Sequence, residues 1–270
     1  MLTDSIRIAA VQMCSGQDIH ANLDKASSLI EQAVKQKAQL VALPENFSYL
    51  DTEGKKIKAV ENFENGLAVQ LLRKLSASHS VYIVGGTVPL IANDRVTNTC
   101  IVFDPNGEII THYNKIHLFD IALDDQHSFL ESRYIEPGTE PMTFEALEVT
   151  MGLSICYDLR FPELYRVLTA KGAKVLFVPS AFTWRTGAYH WLPLLRARAI
   201  ENLAYVVAPA QFGRHNARRE SFGHSVIIDP WGQILAQAPD RNCVITCELD
   251  FAYQAQLRER LPSLDHRRIY

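Results

Sequence analysis

A regular alternation of apolar and polar positions marks the middle of the chain. Over residues 147–155 every second side chain, from Leu147 to Ile155, is apolar, and the positions between them are Glu, Thr, Gly and Ser. This period of two predicts a β-strand with one buried face. The segment Tyr-Asp-Leu-Arg-Phe-Pro-Glu that follows Cys156 predicts a tight turn into a helix starting near Pro162. Cys156 is therefore expected at the C-terminal end of a strand, where such a turn offers backbone N–H groups.

Two charged residues end other apolar runs in the same way. Glu45 follows the run over residues 40–43 and one proline, and Lys115 follows a run that ends at Tyr113. Taken singly, Cys156 could be a small core residue and the two charges could be solvated loop residues. In open α/β architectures, however, the carboxyl ends of strands form the rim that binds ligands. We therefore expect an acid, an amine and a thiol to converge on one pocket.

A weak internal repeat relates the two halves of the chain. A helix end, a strand and a Pro-x-x-Phe sequence occur at residues 35–47 and again at residues 171–182. Asp-Pro-Asn-Gly at 104–107 and Asp-Pro-Trp-Gly at 229–232 each join two apolar runs, as hairpin turns do. Because the elements recur in the same order, we predict two similar halves built from βαβ-type units.

Helical patterns alternate with these strands, which predicts a layered α/β protein in a single domain over residues 1–270. The predicted helix that starts at Trp191 contains Pro193, which its first turn would tolerate. The one long polar connection is expected at residues 119–143. Helices are predicted at residues 22–37, 66–78, 162–171 and 191–202.

The motifs around the three strand-end residues resemble the carbon-nitrogen hydrolase (nitrilase) superfamily. They are Leu-Pro-Glu-Asn around Glu45, Asn-Lys-Ile-His-Leu-Phe around Lys115, and Cys-Tyr-Asp-Leu-Arg-Phe-Pro-Glu from Cys156. The resemblance extends over nearly the whole chain. It implies a four-layer α-β-β-α sandwich with two pseudo-symmetric halves, and a homodimer or larger homo-oligomer. Within the superfamily the motifs are most similar to amidases that act on deaminated glutathione, and the ω-amidase branch, acting on 2-oxoglutaramate or 2-oxosuccinamate, is the alternative.

The three side chains suggest a two-step hydrolysis of an amide. Cys156 would attack the amide carbon and form a thioester, which avoids direct attack by water. Glu45 would move the thiol proton to the departing nitrogen and then activate water. Lys115, together with the N–H of Tyr157, would stabilise the oxyanion. Glu131 matches a second family glutamate, which implies that it positions Lys115 or the substrate.

Four further residues are candidates for binding substrate. Besides Tyr157, they include Arg160, whose guanidinium could bind a carboxylate in two-pronged fashion or form a salt bridge to Asp158 or Glu163. Phe182 and Thr186 could form a wall of the pocket and donate one hydroxyl, although core packing is an equal expectation for the phenylalanine.

A basic cluster over residues 214–219 has two interpretations. In most proteins such a run is a solvated loop, but here it could attract the anionic tail of a substrate.

Composition narrows the class of protein. With 270 residues, 47% of them hydrophobic, the chain can bury one large core, and a net charge of −3 gives no basic footprint for nucleic acid or an anionic membrane. No apolar run approaches the roughly 20 residues of a membrane span. Five scattered cysteines indicate a reducing compartment, so we expect a cytoplasmic protein.

No metal or cofactor is predicted. Cys243 and Cys247 fall in one expected strand, about 13 Å apart, too far for one zinc ion. The predicted partner is instead a small-molecule amide. A non-catalytic scaffold on the same fold is the alternative from another class, but a scaffold has no need for an acid, a cation and a thiol at strand ends.

Overall fold

The protein is built around two β-sheets that share one core, as seen in a computed structural model that describes residues 4–51, 59–92, 95–124 and 127–269. The first sheet has the order β17-β1-β2-β3-β5-β4, with β6 also paired to β5. Its strands are β1 (Ser5–Gln12), β2 (Leu40–Ala42), β3 (Tyr82–Val84), β4 (Val88–Ala92), β5 (Arg95–Phe103), β6 (Ile109–Asn114) and β17 (Cys243–Asp250).

The second sheet has the order β16-β15-β12-β11-β10-β9. Its strands are β9 (Thr143–Ala146), β10 (Val149–Leu153), β11 (Val175–Phe177), β12 (Tyr205–Ala208), β15 (Val226–Ile228) and β16 (Ile234–Gln237). Two separate hairpins are formed by β7 (Asp120–Asp124) with β8 (His127–Leu130), and by β13 (Phe212–Arg214) with β14 (Glu220–Phe222).

Helices cover the outer face of each sheet. In β1, Ile8 and Ala10 lie in the core shared by the sheets, whereas Ala9 and Val11 pack with apolar residues of the two helices of the first half. This is the predicted α-β-β-α sandwich, and the sequence-based fold class is confirmed. The helices in the described residues are α1 (Ile19–Lys35), α2 (Leu67–His79), α3 (Pro162–Ala170), α4 (Trp184–Asn202) and α5 (Phe251–Arg260).

The predicted repeat of the two halves is present in the strand pairing. Parallel strands β1, β2 and β3 are followed by antiparallel β5 and β6, and parallel β10, β11 and β12 are followed in the same way by β15 and β16. Both Asp-Pro-x-Gly turns close a hairpin, with the glycine N–H donating to the aspartate carbonyl at 3.0 Å in the first and 2.9 Å in the second.

Three local predictions were wrong. Helix α4 begins at Trp184 rather than at residue 191, so Pro193 lies inside it; its first turn is held by Gly187 N–H on the carbonyl of Thr183 at 2.8 Å. The predicted polar connection at 119–143 contains the β7–β8 hairpin. Finally, β10 is covered on both faces, because its small residues, such as Gly152 beside Leu168, fit beneath α3.

None of the helices in the described ranges combines the length and the apolar character needed to cross a membrane.

Candidate active site

Cys156 lies at the end of β10, on a strained turn. Its φ of 46° is in the left-handed region, which residues with a side chain seldom adopt. The backbone N–H donates to the carbonyl of Pro179 at 3.0 Å, and a 3-10 turn over Cys156–Arg160 leads into α3. The strand-to-helix turn expected from the sequence is therefore present.

Glu45 follows β2 on a loop that is pressed against Gly86. A Cβ added to Gly86, whose φ is 57°, would lie 2.1 Å from the carbonyl oxygen of Pro44, so this close approach requires glycine. The Glu45 carboxylate is buried. Its Oε1 accepts hydrogen bonds from Lys115 Nζ at 3.0 Å, and its Oε2 from the N–H of Ala181 at 2.9 Å.

Lys115 lies between two carboxylates. Its Nζ donates to Glu45 Oε1 at 3.0 Å and to Glu131 Oε2 at 2.8 Å, and all three side chains are buried. Glu131 Oε2 also accepts from the N–H of Phe119 at 2.8 Å. The structure thus brings Glu45, Lys115 and Glu131 together, and it places Glu131 where it can hold the lysine.

Asn98 on β5 is a part of the site that the sequence did not indicate. Its Nδ2 donates to Glu45 Oε1 at 2.9 Å and to Glu131 Oε1 at 3.1 Å, so one amide group fixes both carboxylates. The N–H of Ala181, which donates to Glu45 Oε2 at 2.9 Å, was also missed. No sequence pattern marks either group, because each acts through a single hydrogen-bonding atom.

Asp158 ties the turn that carries the thiol to the segment that follows Lys115. Its Oδ2 accepts from the N–H of Ile155 at 2.8 Å and from the hydroxyl of Tyr113 at 2.7 Å. Its Oδ1 accepts from the backbone N–H of His117 at 3.0 Å and lies 2.7 Å from the same residue's Nδ1. The buried Asp158 carboxylate therefore fixes the turn that carries Cys156 relative to the segment that carries Lys115.

Electrostatics keep the thiol protonated and the lysine charged. Burial raises the pKa of Cys156, the Glu45 carboxylate raises it further, and Lys115 only partly opposes them. For Lys115, burial would lower the pKa, but the charges of Glu131 and Glu45 outweigh it and hold the pKa well above its ordinary value. The resting site thus contains a protonated thiol, and a carboxylate and a cation line the same cavity.

A small cavity of about 20 Å³ lies over the thiol, enough for about one water molecule. Tyr157, Phe182 and Thr186 line it together with the four residues proposed for catalysis. No group in the described residues accepts a hydrogen bond from the N–H of Tyr157, so this donor is available to a ligand.

Arg160 is placed differently from the other predicted binding residues. It does not line the cavity. Its guanidinium lies 5.3 Å from the ring centre of Phe182 and 5.8 Å from that of Tyr157, and its Nη1 lies 3.2 Å from His190 Nδ1. Neither of the two salt bridges considered from the sequence is formed by its side chain, since Arg160 has no ion pair among the described residues.

A wider cleft of about 250 Å³ adjoins the cavity. The two spaces share Thr183 and Arg219 as lining residues. The cleft is rich in positive charge, and Glu220 is the one acidic residue among the described residues that line it; the cationic side chains are Arg185, Arg214, Arg218 and Arg219. The basic cluster therefore lies beside the site, on the loop between β13 and β14.

Metal ligands are not grouped in the described part of the chain: no three His, Cys, Asp or Glu side chains there are arranged to hold an ion. Cys243 and Cys247 both lie on β17, as the sequence predicted.

The fold and the cavity correspond to a known family of enzymes. A family model described as Carbon-nitrogen hydrolase matches residues 7–259, and the chain belongs to this family. The family resemblance seen in the sequence is confirmed.

The following relatives match this chain over nearly its whole length and nearly the whole of theirs. The chain is 43% identical over 264 residues to "Deaminated glutathione amidase" of Synechocystis sp., covering 96% of this chain and 97% of that protein. It is 34% identical over 270 residues to mouse "Omega-amidase NIT2", covering 98% of this chain and 95% of the relative. The crystal structure of Saccharomyces cerevisiae Nit3, described as a member of branch 10 of the nitrilase superfamily, superposes with a TM-score of 0.88 at 34% identity, covering 97% of this chain and 96% of that one.

Proposed function

We propose that the protein is a cofactor-free amidase that hydrolyses a small carboxylate-bearing amide through a thioester on Cys156, and that its substrate is deaminated glutathione. The observation that carries this proposal is that Cys156, Glu45 and Lys115 line one cavity, in which Lys115 Nζ lies 3.0 Å from Glu45 Oε1. A nucleophile, a base and a cation within hydrogen-bonding reach form the set that acyl transfer needs.

Acylation begins with the thiol, since its raised pKa leaves little thiolate in the resting protein. Glu45 takes the thiol proton as the Cys156 sulfur bonds to the amide carbon, giving a tetrahedral intermediate with a negative oxygen. Glu45 then delivers the proton to the departing nitrogen, the carbon-nitrogen bond breaks, and the free amine leaves. Such proton transfer typically accelerates a reaction by about 100- to 10,000-fold.

Deacylation uses the same groups on a water molecule. Glu45 accepts a proton from water as the oxygen attacks the thioester carbon, and the Cys156 sulfur leaves and recovers the proton. In both steps the developing oxyanion would be stabilised by Lys115 and the N–H of Tyr157. Glu131 and Asn98 position these groups.

The substrate assignment is supported by the relatives' names and by the shape of the site. Deaminated glutathione carries a 2-oxo carboxylate on the acyl side of its amide and a peptide tail that ends in a carboxylate. The arginine-lined cleft next to the cavity has space and charge for such a tail. The ω-amidase alternative does not need the cleft for a leaving group, because the leaving group of a small ω-amide is ammonia.

The test measures release of 2-oxoglutarate, which both substrates yield, from deaminated glutathione and from 2-oxoglutaramate at equal concentrations. We expect kcat/KM to be higher for deaminated glutathione. A higher kcat/KM for 2-oxoglutaramate would favour the ω-amidase, and no release from either amide would favour the non-catalytic scaffold.

The domain organisation, the assembly and the cellular location of the protein are also part of the proposal. We propose a single catalytic domain over residues 1–270, a homodimer or larger homo-oligomer, and a cytoplasmic location. The core shared by both sheets supports the single domain. Light scattering at micromolar concentration should give a mass above that of one 30.4 kDa chain; a stable monomer would contradict the assembly.

A further inference from the structure

Arg219 lies at the border between the small cavity over Cys156 and the wider basic cleft. Among the described residues it is the one cation that lines both spaces, since Lys115 lines only the cavity and the other arginines line only the cleft. It directly precedes β14, at the end of the loop that joins β13 to β14. A group that binds Arg219 therefore lies between the thiol and the outer cleft.

The positive charge at this border is not neutralised. Arg214, Arg218 and Arg219 form no ion pair among the described residues. Nη1 of Arg219 donates to a neutral group, the backbone carbonyl of Asp51, at 3.4 Å, and its buried Nε has no hydrogen-bond partner in the described part of the chain. Because like charges without counter-ions add up to a strong positive potential, the border attracts an anion.

The loop that carries Arg219 is fastened to the first half of the molecule. Asn216 Oδ1 accepts hydrogen bonds from the backbone N–H of Arg218 at 2.8 Å and of Arg219 at 2.9 Å, and its Nδ2 donates to Oδ1 of the buried Asp51 at 3.2 Å. A cation on a backbone that is already fixed loses less conformational entropy when a ligand binds.

The sizes of the two spaces determine where the parts of a large amide lie. The scissile carbonyl carbon must reach the Cys156 sulfur, in a cavity of about 20 Å³ that has no room for a dipeptide as well. The leaving amine therefore extends into the adjoining cleft of about 250 Å³. A leaving amine of two residues spans at most about 7 Å from the scissile nitrogen to its terminal carboxylate. This short reach favours the border, where Arg219 lies, over the outer arginines.

We propose that Arg219 binds the terminal carboxylate of a two-residue leaving amine, and is thus a specificity-determining residue for the leaving group. This inference rests on the proposed function, in which the amide nitrogen belongs to a dipeptide. It adds a requirement for a negative charge two residues beyond the scissile bond. Arg214 and Arg218 line only the cleft, so they supply general attraction rather than this contact.

The experiment compares three amides that share one acyl group. Deaminated glutathione has a leaving amine with a terminal carboxylate, its C-terminal carboxamide has the same amine without that charge, and 2-oxoglutaramate releases only ammonia. In wild type, kcat/KM should be about 10- to 100-fold higher for deaminated glutathione than for the carboxamide, because the carboxamide lacks the charged hydrogen-bond acceptor. Equal kcat/KM for these two amides would overturn the proposal.

The variant Arg219→Gln tests the residue itself. It should lower kcat/KM for deaminated glutathione by about 10- to 100-fold, while the values for the carboxamide and for 2-oxoglutaramate change by less than about threefold. Removal of the guanidinium and removal of the carboxylate should thus not be additive. Equal losses on all three amides would overturn the proposal, because a residue that only maintains the fold affects each substrate alike.

Matched variants sharpen the result. Arg219→Lys, which keeps the charge but loses the planar fork, should fall between wild type and Arg219→Gln. Arg218→Gln, in the same loop, should reduce the preference for the carboxylate less than Arg219→Gln does. Arg241→Gln is the control, since Arg241 is exposed and lines neither space, and it should keep the wild-type preference. If Arg218→Gln abolishes the preference and Arg219→Gln retains it, the assignment of Arg219 is wrong.

A binding measurement separates this inference from the proposed function. Calorimetry of Cys156→Ala with deaminated glutathione needs no turnover, and adding Arg219→Gln should raise the Kd by about 10- to 100-fold. An unchanged Kd overturns the role of Arg219 even if the wild type is an active amidase. Binding that depends on Arg219, in a protein whose wild type hydrolyses none of the three amides, supports the role of Arg219 and refutes the amidase.

Discussion

The two halves of the molecule have the same strand framework but contribute different chemistry to the site. By the parallel register, Ala10 of β1 matches Ala42 of β2, and Leu153 of β10 matches Phe177 of β11. Three residues beyond these positions, the first half has Met13 and Glu45, and the second half has Cys156 and Ser180.

The equivalent positions in the opposite half hold residues of other kinds. Met13 is a core residue, and Ser180 Oγ donates to the carbonyl of Val178 at 3.0 Å. The shared framework therefore provides equivalent positions at strand ends. The first half has Glu45 at one of these positions, and the second half has Cys156 at a different one. The site exists only where the two halves meet, which explains why Glu45 bonds to Ala181 across 136 positions of sequence.

The largest effect should come from Cys156→Ala, which removes the nucleophile. We expect kcat to fall by a factor on the order of 10⁴ or more, because Cys156 is the one thiol among the described residues that line the cavity. Met13→Leu, at the equivalent place in the first half, should retain activity. Intact-mass spectrometry after incubation with substrate should show no adduct on Cys156→Ala; an adduct on another cysteine or full activity would refute the assignment.

Glu45→Gln should lower kcat by about 100- to 10,000-fold, because the amide side chain accepts no proton. Deacylation also needs this base, so mass spectrometry should detect acyl adduct trapped on Cys156. The control is Ser180→Ala, at the equivalent place in the second half, which should stay within a few-fold of wild type. Loss of the adduct together with rapid turnover would show that another residue is the base.

Lys115→Ala should affect both catalysis and stability. Loss of an oxyanion donor lowers kcat by about 100- to 1,000-fold. Lys115 is buried between Glu45 and Glu131, so its removal leaves two buried carboxylates without their cation and should cost about 3 to 5 kcal/mol.

Thermal unfolding and kinetics on the same samples separate the two effects of Lys115. Asp240→Asn is the matched control, since Asp240 lies after the second Asp-Pro-x-Gly hairpin where Lys115 lies after the first, and it is exposed. A stable Lys115→Ala protein would mean that the two glutamates become protonated without strain.

The smallest effect concerns His215, which connects the halves through the β13–β14 loop. Its Nδ1 lies 2.8 Å from the carbonyl oxygen of Ser15 and its Nε2 lies 2.8 Å from Ser221 Oγ, and burial lowers its pKa to about 4. Because the unfolded chain binds the proton near pH 6.5 and the folded one near pH 4, stability should be lost as pH falls through this window, on the order of 1 to 2 kcal/mol.

Chemical denaturation at pH 7.5 and pH 5.0 measures this dependence. His215→Asn should reduce the difference between the two pH values, whereas His20→Asn, on the exposed start of α1, should not. An unchanged difference in His215→Asn would assign the dependence to other groups.

The sequence predicted the framework better than the details of the site. The strand ends at Glu45, Lys115 and Cys156 follow from the apolar runs that precede them, because the extent of such a run is visible in the local sequence. Asn98, Asp158 and the position of Arg160 could not be predicted in this way. They depend on how two sheets from different halves pack, and no local pattern encodes the distance between them.

The prediction of where α4 starts was wrong for a related reason. A proline normally breaks a helix interior, so the pattern favoured a start near Pro193. Tertiary contacts override this preference: a Cβ on Gly187 would lie 2.3 Å from the Cβ of Phe222, so the early turns of α4 are packed tightly against β14. The same packing brings Thr186 to the cavity.

The raised pKa of the buried Cys156 thiol has a consequence for survival of the protein under oxidative conditions. Peroxide and disulfides react with thiolates, and a thiol that holds its proton is oxidised slowly. The same burial and the same Glu45 carboxylate that keep the proton on sulfur should thus protect the proposed nucleophile from conversion to sulfenic acid. In the proposed mechanism the sulfur becomes reactive only when an amide occupies the cavity and Glu45 takes the proton.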